Sequence, residues 1–271
     1  MLNQFLSATE EGSTTGFEVV QMDCGGMHSI ALTRDNQIVT WGVNDNGALG
    51  RETTWEAPMK DATADDSDDE AMLNPRESTP TAVSAEAFPP GTTFVQVAAG
   101  DSSSFALTST GAVYGWGTFR TPDGKEVFSR EPNPGRSRNR GGGSSYVQRQ
   151  PTPTVIAGLS SITQLAVGAN HALALDSRGR VWAWGCGDGH QLGIRMLDRN
   201  CLRDAAEGRL LHVALEPRCV GFPGGVRVRY IASGEYHALA VDTQDRVWGW
   251  GLEWGSAKQV PTRRAQCQIA A

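Results

Sequence analysis

The stretch VGANHALALDSRGRVWAWG at residues 167–185 decides the fold, because three other segments of the chain repeat its pattern. The other copies are CGGMHSIALTRDNQIVTWG at 24–42, AGDSSSFALTSTGAVYGWG at 99–117 and SGEYHALAVDTQDRVWGWG at 233–251. In every copy the glycine of the closing Trp-Gly pair stands 17 residues after an early glycine, although the copies lie 75, 68 and 66 residues apart. A fixed internal register with variable spacing indicates a repeat protein with insertions between its units.

Each copy predicts β-strands joined by a tight turn. A short β-rich segment such as ITQLAV at 162–167 precedes the early glycine, and HALAL at 171–175 and VWAW at 181–184 follow it with the alternation of pleated strands. The eleventh residue after the early glycine is of a type that tolerates the positive φ of a hairpin turn. These residues are Asn36, Gly111, Gly179 and Asp245.

The repeat predicts an all-β fold, a β-propeller built of four-stranded blades. Small residues at the end of each first strand suit a strand crowded near a central axis, and the recurring tryptophans suit the wider space between neighbouring sheets. These tryptophans are Trp41, Trp116, Trp184 and Trp250. We place the repeats at 19–255, with inserted loops at 56–90, 118–150 and 194–217, between tails at 1–18 and 256–271.

Two copies continue past Trp-Gly in a similar way, as VNDNGALG at 43–50 and CGDGHQLG at 186–193. The order Gly-x-x-His, Ala-Leu, turn, Trp-Gly and Gly-x-Leu-Gly resembles the regulator-of-chromosome-condensation repeat. Within that family, VQVAAGD at 95–101 and WGTFRTPDGKEVFSREP at 116–132 look like segments of the fungal-type exchange factors for the Ran GTPase. The resemblance implies a seven-bladed ring, of which this chain carries about four blades. A partial ring leaves open sheet edges, so we expect the isolated chain to be a poor exchange factor.

The second copy differs from the others after its Trp-Gly. It carries TFRTPDGKEVFSREP at 118–132, in which Pro122-Asp123-Gly124 is a turn signal between the apolar residues Phe119 and Val127, and this predicts a protruding hairpin. The resemblance implies that residues 118–131 form a β-wedge that enters between the nucleotide-holding loops of the GTPase. The implied GTPase-binding residues are Asp101, Thr118, Phe119, Arg120, Asp123, Gly124, Asn170 and Arg195.

Two of these positions depart from the family pattern. Asn170 stands where animal members of the family carry an aspartate, and an amide forms hydrogen bonds but supplies no charge. The arginine that the family places directly after Gln-Leu-Gly is Ile194 here, with Arg195 one residue later.

The predicted activity needs no covalent chemistry. The sequence shows no nucleophile elbow, HExxH or paired-carboxylate motif, and the glycines at 185–189 open no helix of a βαβ unit. The recurring His28, His171 and His237 are predicted to be buried hydrogen-bonding groups between strands. We therefore expect no cofactor, metal or small-molecule substrate. Exchange would follow from linkage, because a factor that prefers the empty GTPase must weaken nucleotide binding.

Three other functional hypotheses remain open. The first is a non-catalytic propeller that acts as a scaffold for protein partners. The second is the plant UV-B photoreceptor that shares this repeat, which is disfavoured because the tryptophans that it carries beside the repeat glycine are absent here. Those positions hold Gly26, Asp101, Ala169 and Glu235. The third is chromatin docking, which the family associates with an arginine-bearing loop and which Pro217-Arg218-Cys219, followed by Arg227 and Arg229, matches weakly.

Bulk composition favours a soluble protein in a reducing compartment. The 271 residues carry a formal charge of −6 and five cysteines without a CxxC pair, and no apolar run reaches about 20 residues. The acidic segment 61–70 and the arginine-bearing segment 133–150 are predicted solvated loops, the second also suited to phosphates. No membrane contact is expected. The resemblance implies the nucleus, and the absence of a basic leading segment leaves the cytoplasm open.

Overall fold

The computed structural model describes residues 16–56, 73–130, 146–194 and 212–252, together with the backbone of 255–260. Within these ranges the chain forms four antiparallel four-stranded sheets and two short two-stranded ribbons, which confirms the predicted propeller blades. The predicted limits of the repeat region and of its loops stay predictions.

Each blade takes its first three strands from one repeat copy and its fourth from the following connection. Blade 1 contains β1 (Val19–Cys24), β2 (His28–Thr33), β3 (Ile38–Gly42) and β4 (Thr81–Ala82). Blade 2 contains β5 (Phe94–Ala99), β6 (Ser103–Thr108), β7 (Val113–Gly117) and β12 (Gln150–Val155). Blade 3 contains β13 (Ile162–Val167), β14 (His171–Asp176), β15 (Val181–Cys186) and β16 (Val213–Cys219). Blade 4 contains β17 (Val228–Ser233), β18 (His237–Asp242), β19 (Val247–Gly251) and β20 (Gly255–Val260).

The remaining short elements lie between these strands. The ribbons are β8 (Phe119–Arg120) with β9 (Glu126–Val127), and β10 (Ser129–Arg130) with β11 (Tyr146–Val147). The described helices are the single turn α1 (Pro75–Ser78) and the 3-10 turns Ala85–Ala87 and Pro223–Gly225. Regular structure is thus almost entirely β, and the irregular segments join one blade to the next.

The first strands of the blades lie side by side, and the early glycine of each repeat marks their closest approach. β1 contacts β5, β5 contacts β13, and β13 contacts β17. A Cβ atom on Gly100 would lie 2.8 Å from the carbonyl oxygen of Gly168, and a Cβ atom on Gly168 would lie 2.5 Å from that of Gly234. The early glycine is therefore required because the next blade leaves no room for a side chain.

The positive-φ turn predicted within each repeat is confirmed. The φ values are 62° at Asn36, 80° at Gly111, 77° at Gly179 and 59° at Asp245. At these positions the chain reverses between the second and third strands of a blade, so the turn residues follow from local geometry alone.

Trp116, Trp184 and Trp250 pack between blades, as the sequence predicts, whereas Trp41 on blade 1 is only partly buried. The Trp116 indole N–H donates to the Ala48 carbonyl oxygen at 2.8 Å, and that of Trp250 donates to the Gln191 carbonyl oxygen at 2.9 Å. Both acceptors belong to the Leu-Gly tails of the preceding blades. The second copy lacks this tail, and the buried Trp184 N–H has no acceptor among the described residues. Among the described residues, Trp184 therefore lacks the inter-blade hydrogen bond that Trp116 and Trp250 form.

His28 and His171 are buried hydrogen-bonding groups between blades, as predicted, whereas the prediction is wrong for His237, which is exposed. His28 Nε2 lies 2.8 Å from Ser104 Oγ, and His171 Nε2 lies 2.9 Å from Ser233 Oγ. Burial lowers the pKa of His28 to about 4 and that of His171 to about 3. Both rings are therefore neutral at pH 7 and oppose protonation in the folded chain.

We expect the fold to lose stability between pH 7 and pH 4. Because the folded pKa of each histidine lies below the unfolded value of about 6.5, the unfolded chain binds more protons as the pH falls. At pH 4, proton binding by each of these histidines in the unfolded chain should lower the free energy of unfolding by roughly 3 kcal/mol relative to pH 7. Urea denaturation at several pH values measures this. The double variant His28→Gln with His171→Gln should flatten the pH profile, whereas His190→Gln, at an exposed histidine, should leave it unchanged.

Candidate functional site

The segment that replaces the tail of blade 2 forms the predicted hairpin. Phe119 pairs with Val127 and Arg120 pairs with Glu126 across β8 and β9. The Thr121 N–H donates to the Lys125 carbonyl oxygen at 2.9 Å, and Gly124 takes a φ of 79° in the turn. The tip residues 122–124 are exposed. A short turn of defined geometry is thus presented to solvent.

The base of the hairpin belongs to the core. Phe119 stacks on Phe105 and on Phe128, with ring centroids 6.1 Å apart in each pair. Phe119 is only 1% exposed and Thr118 is fully buried, with its hydroxyl donating to the Gln148 carbonyl oxygen at 2.7 Å. The predicted contact of these two side chains with a GTPase is therefore corrected, because neither is accessible. They support the hairpin that carries the exposed tip.

Asn170 connects the hairpin to blade 3. Its Oδ1 atom accepts a hydrogen bond from the Arg120 backbone N–H at 2.7 Å. Asn170 lies in the loop between β13 and β14, whose backbone also accepts a hydrogen bond at 2.8 Å from the N–H of Cys186. An amide oxygen accepts this hydrogen bond as a carboxylate oxygen would. Asn170 can therefore hold the hairpin although its side chain carries no charge.

The predicted residues Asp101, Arg120, Asn170 and the hairpin tip lie on one rim. The loops between the first and second strands of successive blades are joined by backbone hydrogen bonds, from Asp101 N to Ala169 O at 2.8 Å and from Ala169 N to Glu235 O at 3.2 Å. The hairpin leaves from the same edge, because the Thr118 N–H donates to the Ser102 carbonyl oxygen at 2.8 Å. We name this edge the glycine rim.

A cleft of about 380 Å³ opens on the glycine rim beside the hairpin. Its lining comes from the hairpin, from the loop that carries Asn170, from the tail of blade 3 and from blade 4. The residues that line it are Arg120, Thr121, Pro122, Asn170, Asp188, Gly189, Tyr236 and Leu252. The cleft therefore joins the hairpin to two further blades as one surface.

Carboxylates dominate the electrostatics of this rim. Burial and the neighbouring Glu235 carboxylate raise the pKa of Asp101, and the positive charge of Arg120 opposes this shift. A hydrogen bond to Glu235 raises the pKa of Tyr236, which Asp101 and Asp188 raise further. Like charges held this close favour a partner surface that carries lysine or arginine.

Glu235, Tyr236 and Asp188 were not among the predicted site residues. A signal for the first existed in the sequence, because Glu235 follows Gly234 as Asp101 follows Gly100. Their proximity to Asp101 and Arg120 depends on the order of the blades around the axis, which no single repeat copy shows.

Asp123 and Gly124 lie in the exposed turn of the hairpin, as predicted. Asp123 forms an ion pair with Lys125 at 2.7 Å and accepts a hydrogen bond from Thr121 Oγ1 at 2.6 Å. Hydrogen bonds from Lys125 and Thr121 lower the pKa of Asp123. These local contacts rigidify the turn. Arg195, the last predicted site residue, lies outside the described residues, and Ile194 before it is partly buried.

The residues considered for chromatin docking lie away from the glycine rim. Pro217-Arg218-Cys219 ends β16, and Arg218 donates to Glu216 at 3.3 Å. Arg227 is exposed beside the turn at the opposite end of blade 4, and Arg229 pairs with Asp245 at 2.6 Å. Of the arginines in the basic segment 133–150, the described part contains Arg149, which pairs with Glu126. The Arg149 guanidinium group is thus bound to the hairpin through this ion pair.

Among the described residues, no cluster of three or more histidine, cysteine, aspartate or glutamate side chains is arranged to hold a metal ion. No helix in the described part of the chain has the length and apolar character needed to cross a membrane.

Comparison with known proteins gives a consistent set of relatives. A family model described as RCC1-like domain matches residues 3–258. The chain is 38% identical over 260 residues to the guanine nucleotide exchange factor SRM1 of Saccharomyces cerevisiae, covering 93% of this chain and 47% of that protein. It is 30% identical over 240 residues to the regulator of chromosome condensation of Mus musculus, covering 87% and 47%.

A solved structure of Prp20p from Saccharomyces cerevisiae resembles the fold, with a TM-score of 0.68 and 33% sequence identity. The match covers 90% of this chain and 50% of Prp20p. The chain thus spans about half the length of these three relatives.

Proposed function

Because this chain belongs to the RCC1-like domain family, we propose that it acts as a guanine nucleotide exchange factor for a Ran-type small GTPase. One observation carries the proposal. The hairpin that replaces the tail of blade 2 stands on the same rim as Asp101 and is held there by Asn170. A rigid projection beside an acidic surface is suited to separate the nucleotide-holding loops of a partner that the surface binds.

The mechanism is thermodynamic coupling. The carboxylates of the glycine rim bind the GTPase, and the hairpin tip stabilises its nucleotide-free conformation. By linkage, a factor that binds the empty GTPase more tightly than the loaded one weakens nucleotide binding by the same ratio. No bond is formed or broken by the chain, and neither a metal nor a cofactor of its own is needed.

The partners and the location follow from the same proposal. SRM1 is named as a guanine nucleotide exchange factor, and the Prp20p structure is described with its binding properties to Gsp1p and histones. We therefore propose a Ran-type GTPase as the main partner, chromatin as a second one, and the nucleus as the location. Chromatin contact would use a surface other than the glycine rim, which the GTPase occupies.

The test is release of a fluorescent guanine nucleotide from a Ran-type GTPase, followed by stopped-flow with increasing amounts of this chain. Accelerated release is the expected result, at a rate below that given by full-length SRM1. Binding of the GTPase without any acceleration would favour a scaffold, and the absence of both would contradict the proposal. Full-length SRM1 serves as the positive control.

Asp101→Asn should weaken this activity about tenfold, because the substitution removes charge from an exposed rim position without changing its size. The loss should appear mainly as a higher half-saturating concentration of this chain and should shrink as salt is added. Asp35→Asn, at an exposed turn on the opposite rim, is the matched control and should behave as the unmodified chain.

A further inference from the structure

Arg149 joins the hairpin to two other parts of the molecule. Its Nη2 atom donates to Glu126 Oε1 at 2.8 Å, and its Nε atom contacts the second carboxylate oxygen. Its Nη1 atom donates to the Asp45 carbonyl oxygen at 3.0 Å. Arg149 directly precedes β12, whereas Asp45 lies in the tail of blade 1. One guanidinium group thus links the second hairpin strand to blades 1 and 2.

The contact completes a pair of supports on the two strands of the hairpin. Glu126 pairs with Arg120 across the hairpin, and the backbone N–H of Arg120 is held by Asn170 from blade 3. The first strand is therefore fixed from blade 3 and the second strand from blades 1 and 2. Since a ribbon of two short strands has little stability of its own, contacts of this kind set its direction.

We propose that Arg149 is a positioning residue that fixes the angle at which the hairpin leaves the glycine rim. The effect of Arg149 on nucleotide release depends on the proposed exchange function. Its effect on the direction of the hairpin depends only on these contacts. A guanidinium group is required because it binds both carboxylate oxygens in one plane while its remaining nitrogen reaches Asp45. A lysine has no such geometry.

The effect should be local. The Arg149 side chain is 53% exposed and that of Glu126 is 19% exposed, and pairs of this kind contribute little to the stability of a whole fold. Loss of Arg149 should therefore loosen the hairpin without unfolding the blades. In the exchange reaction, rim contacts would still bind the GTPase, whereas the step driven by the hairpin would slow.

Hydrogen–deuterium exchange on the full chain tests the structural part. In Arg149→Ala, the amides of residues 120–126 should exchange about five times faster than in the unmodified chain, and those of blades 3 and 4 should not change. Arg149→Lys should behave like Arg149→Ala. The matched control is Arg229→Ala, which removes an arginine of similar exposure, 54%, from its ion pair with Asp245 at the opposite rim.

A nucleotide-release assay tests whether a loosened hairpin slows exchange. Arg149→Ala should lower the maximal release rate about tenfold while the half-saturating concentration of the chain stays the same. The exchanged pair Glu126→Arg with Arg149→Glu should recover part of the rate, because it restores the ion pair but not the bond to Asp45.

The outcomes separate this inference from the function on which it rests. Unchanged amide exchange at 120–126 in Arg149→Ala overturns the positioning role. Faster amide exchange with an unchanged maximal release rate overturns its consequence. An unmodified chain that releases no nucleotide overturns the proposed function, and amide exchange still decides whether Arg149 fixes the hairpin.

Discussion

A single methyl group on residue 168 should unfold this protein under conditions in which the unmodified chain is stable. In Gly168→Ala the added Cβ atom would lie 2.5 Å from the Gly234 carbonyl oxygen and 2.6 Å from His171 Nδ1. Both neighbours are fixed, because the carbonyl belongs to the next blade and the histidine is buried and bonded to Ser233. The strain separates blade 3 from blade 4 at their closest approach. We expect a loss of about 3 kcal/mol or more in unfolding free energy.

The matched control for this substitution is Gly221→Ala. Gly221 has no heavy atom within 4 Å of the position of a Cβ atom and has no positive φ, so alanine should change the unfolding free energy by less than about 0.5 kcal/mol. Urea denaturation followed by tryptophan fluorescence measures both variants. Equal midpoints for Gly168→Ala and Gly221→Ala would show that the early glycine is not required by inter-blade contact.

Shortening the hairpin should nearly abolish nucleotide release while leaving the fold intact. Residues 121–125 are replaced by Asn-Gly, which closes the ribbon directly after the Arg120 and Glu126 pair with a two-residue turn. The buried anchors Phe119 and Val127 are retained, so the core does not change. Because the tip is proposed to stabilise the empty GTPase, we expect the maximal release rate to fall roughly 100-fold, or about 2.7 kcal/mol.

The control alters a different exposed turn, at the other end of blade 2. Replacing the exposed Pro89 and Pro90 by Gly and Ser alters a turn on the opposite rim and should not affect release. Circular dichroism should show the same melting temperature for both variants within a few degrees. A shortened hairpin that still releases nucleotide at the original rate would exclude the wedge mechanism.

The strands and turns of this protein are largely readable from the chain. Asn36, Gly111, Gly179 and Asp245 were placed in positive-φ turns by their position in the repeat, and all have the expected φ. The prediction succeeds because a turn depends on the local backbone. The four repeat copies carry such a residue at the same position, which strengthens the prediction.

Individual site residues were less predictable. The family resemblance implies that Thr118 and Phe119 bind the GTPase with the rest of the hairpin, although both are buried. The turn signal beside them indicates a hairpin, but the sequence does not show that Phe119 stacks on both Phe105 and Phe128. The role of Asn170 was likewise defined by its hydrogen bond to Arg120, which lies 50 residues earlier in the chain.

The sequence by itself determined the β-propeller class, the register of each blade and the place of the hairpin, because these depend on residue types at short, repeated spacings. Only the tertiary structure decided which side chains share the glycine rim, which ones support the hairpin, and that Arg149 bonds to Glu126 and Asp45. The physical reason is that these contacts join residues far apart in the chain, from 50 positions between Arg120 and Asn170 to 104 between Asp45 and Arg149. Such contacts are fixed by the packing of one sheet on the next, and local preference carries no information about them.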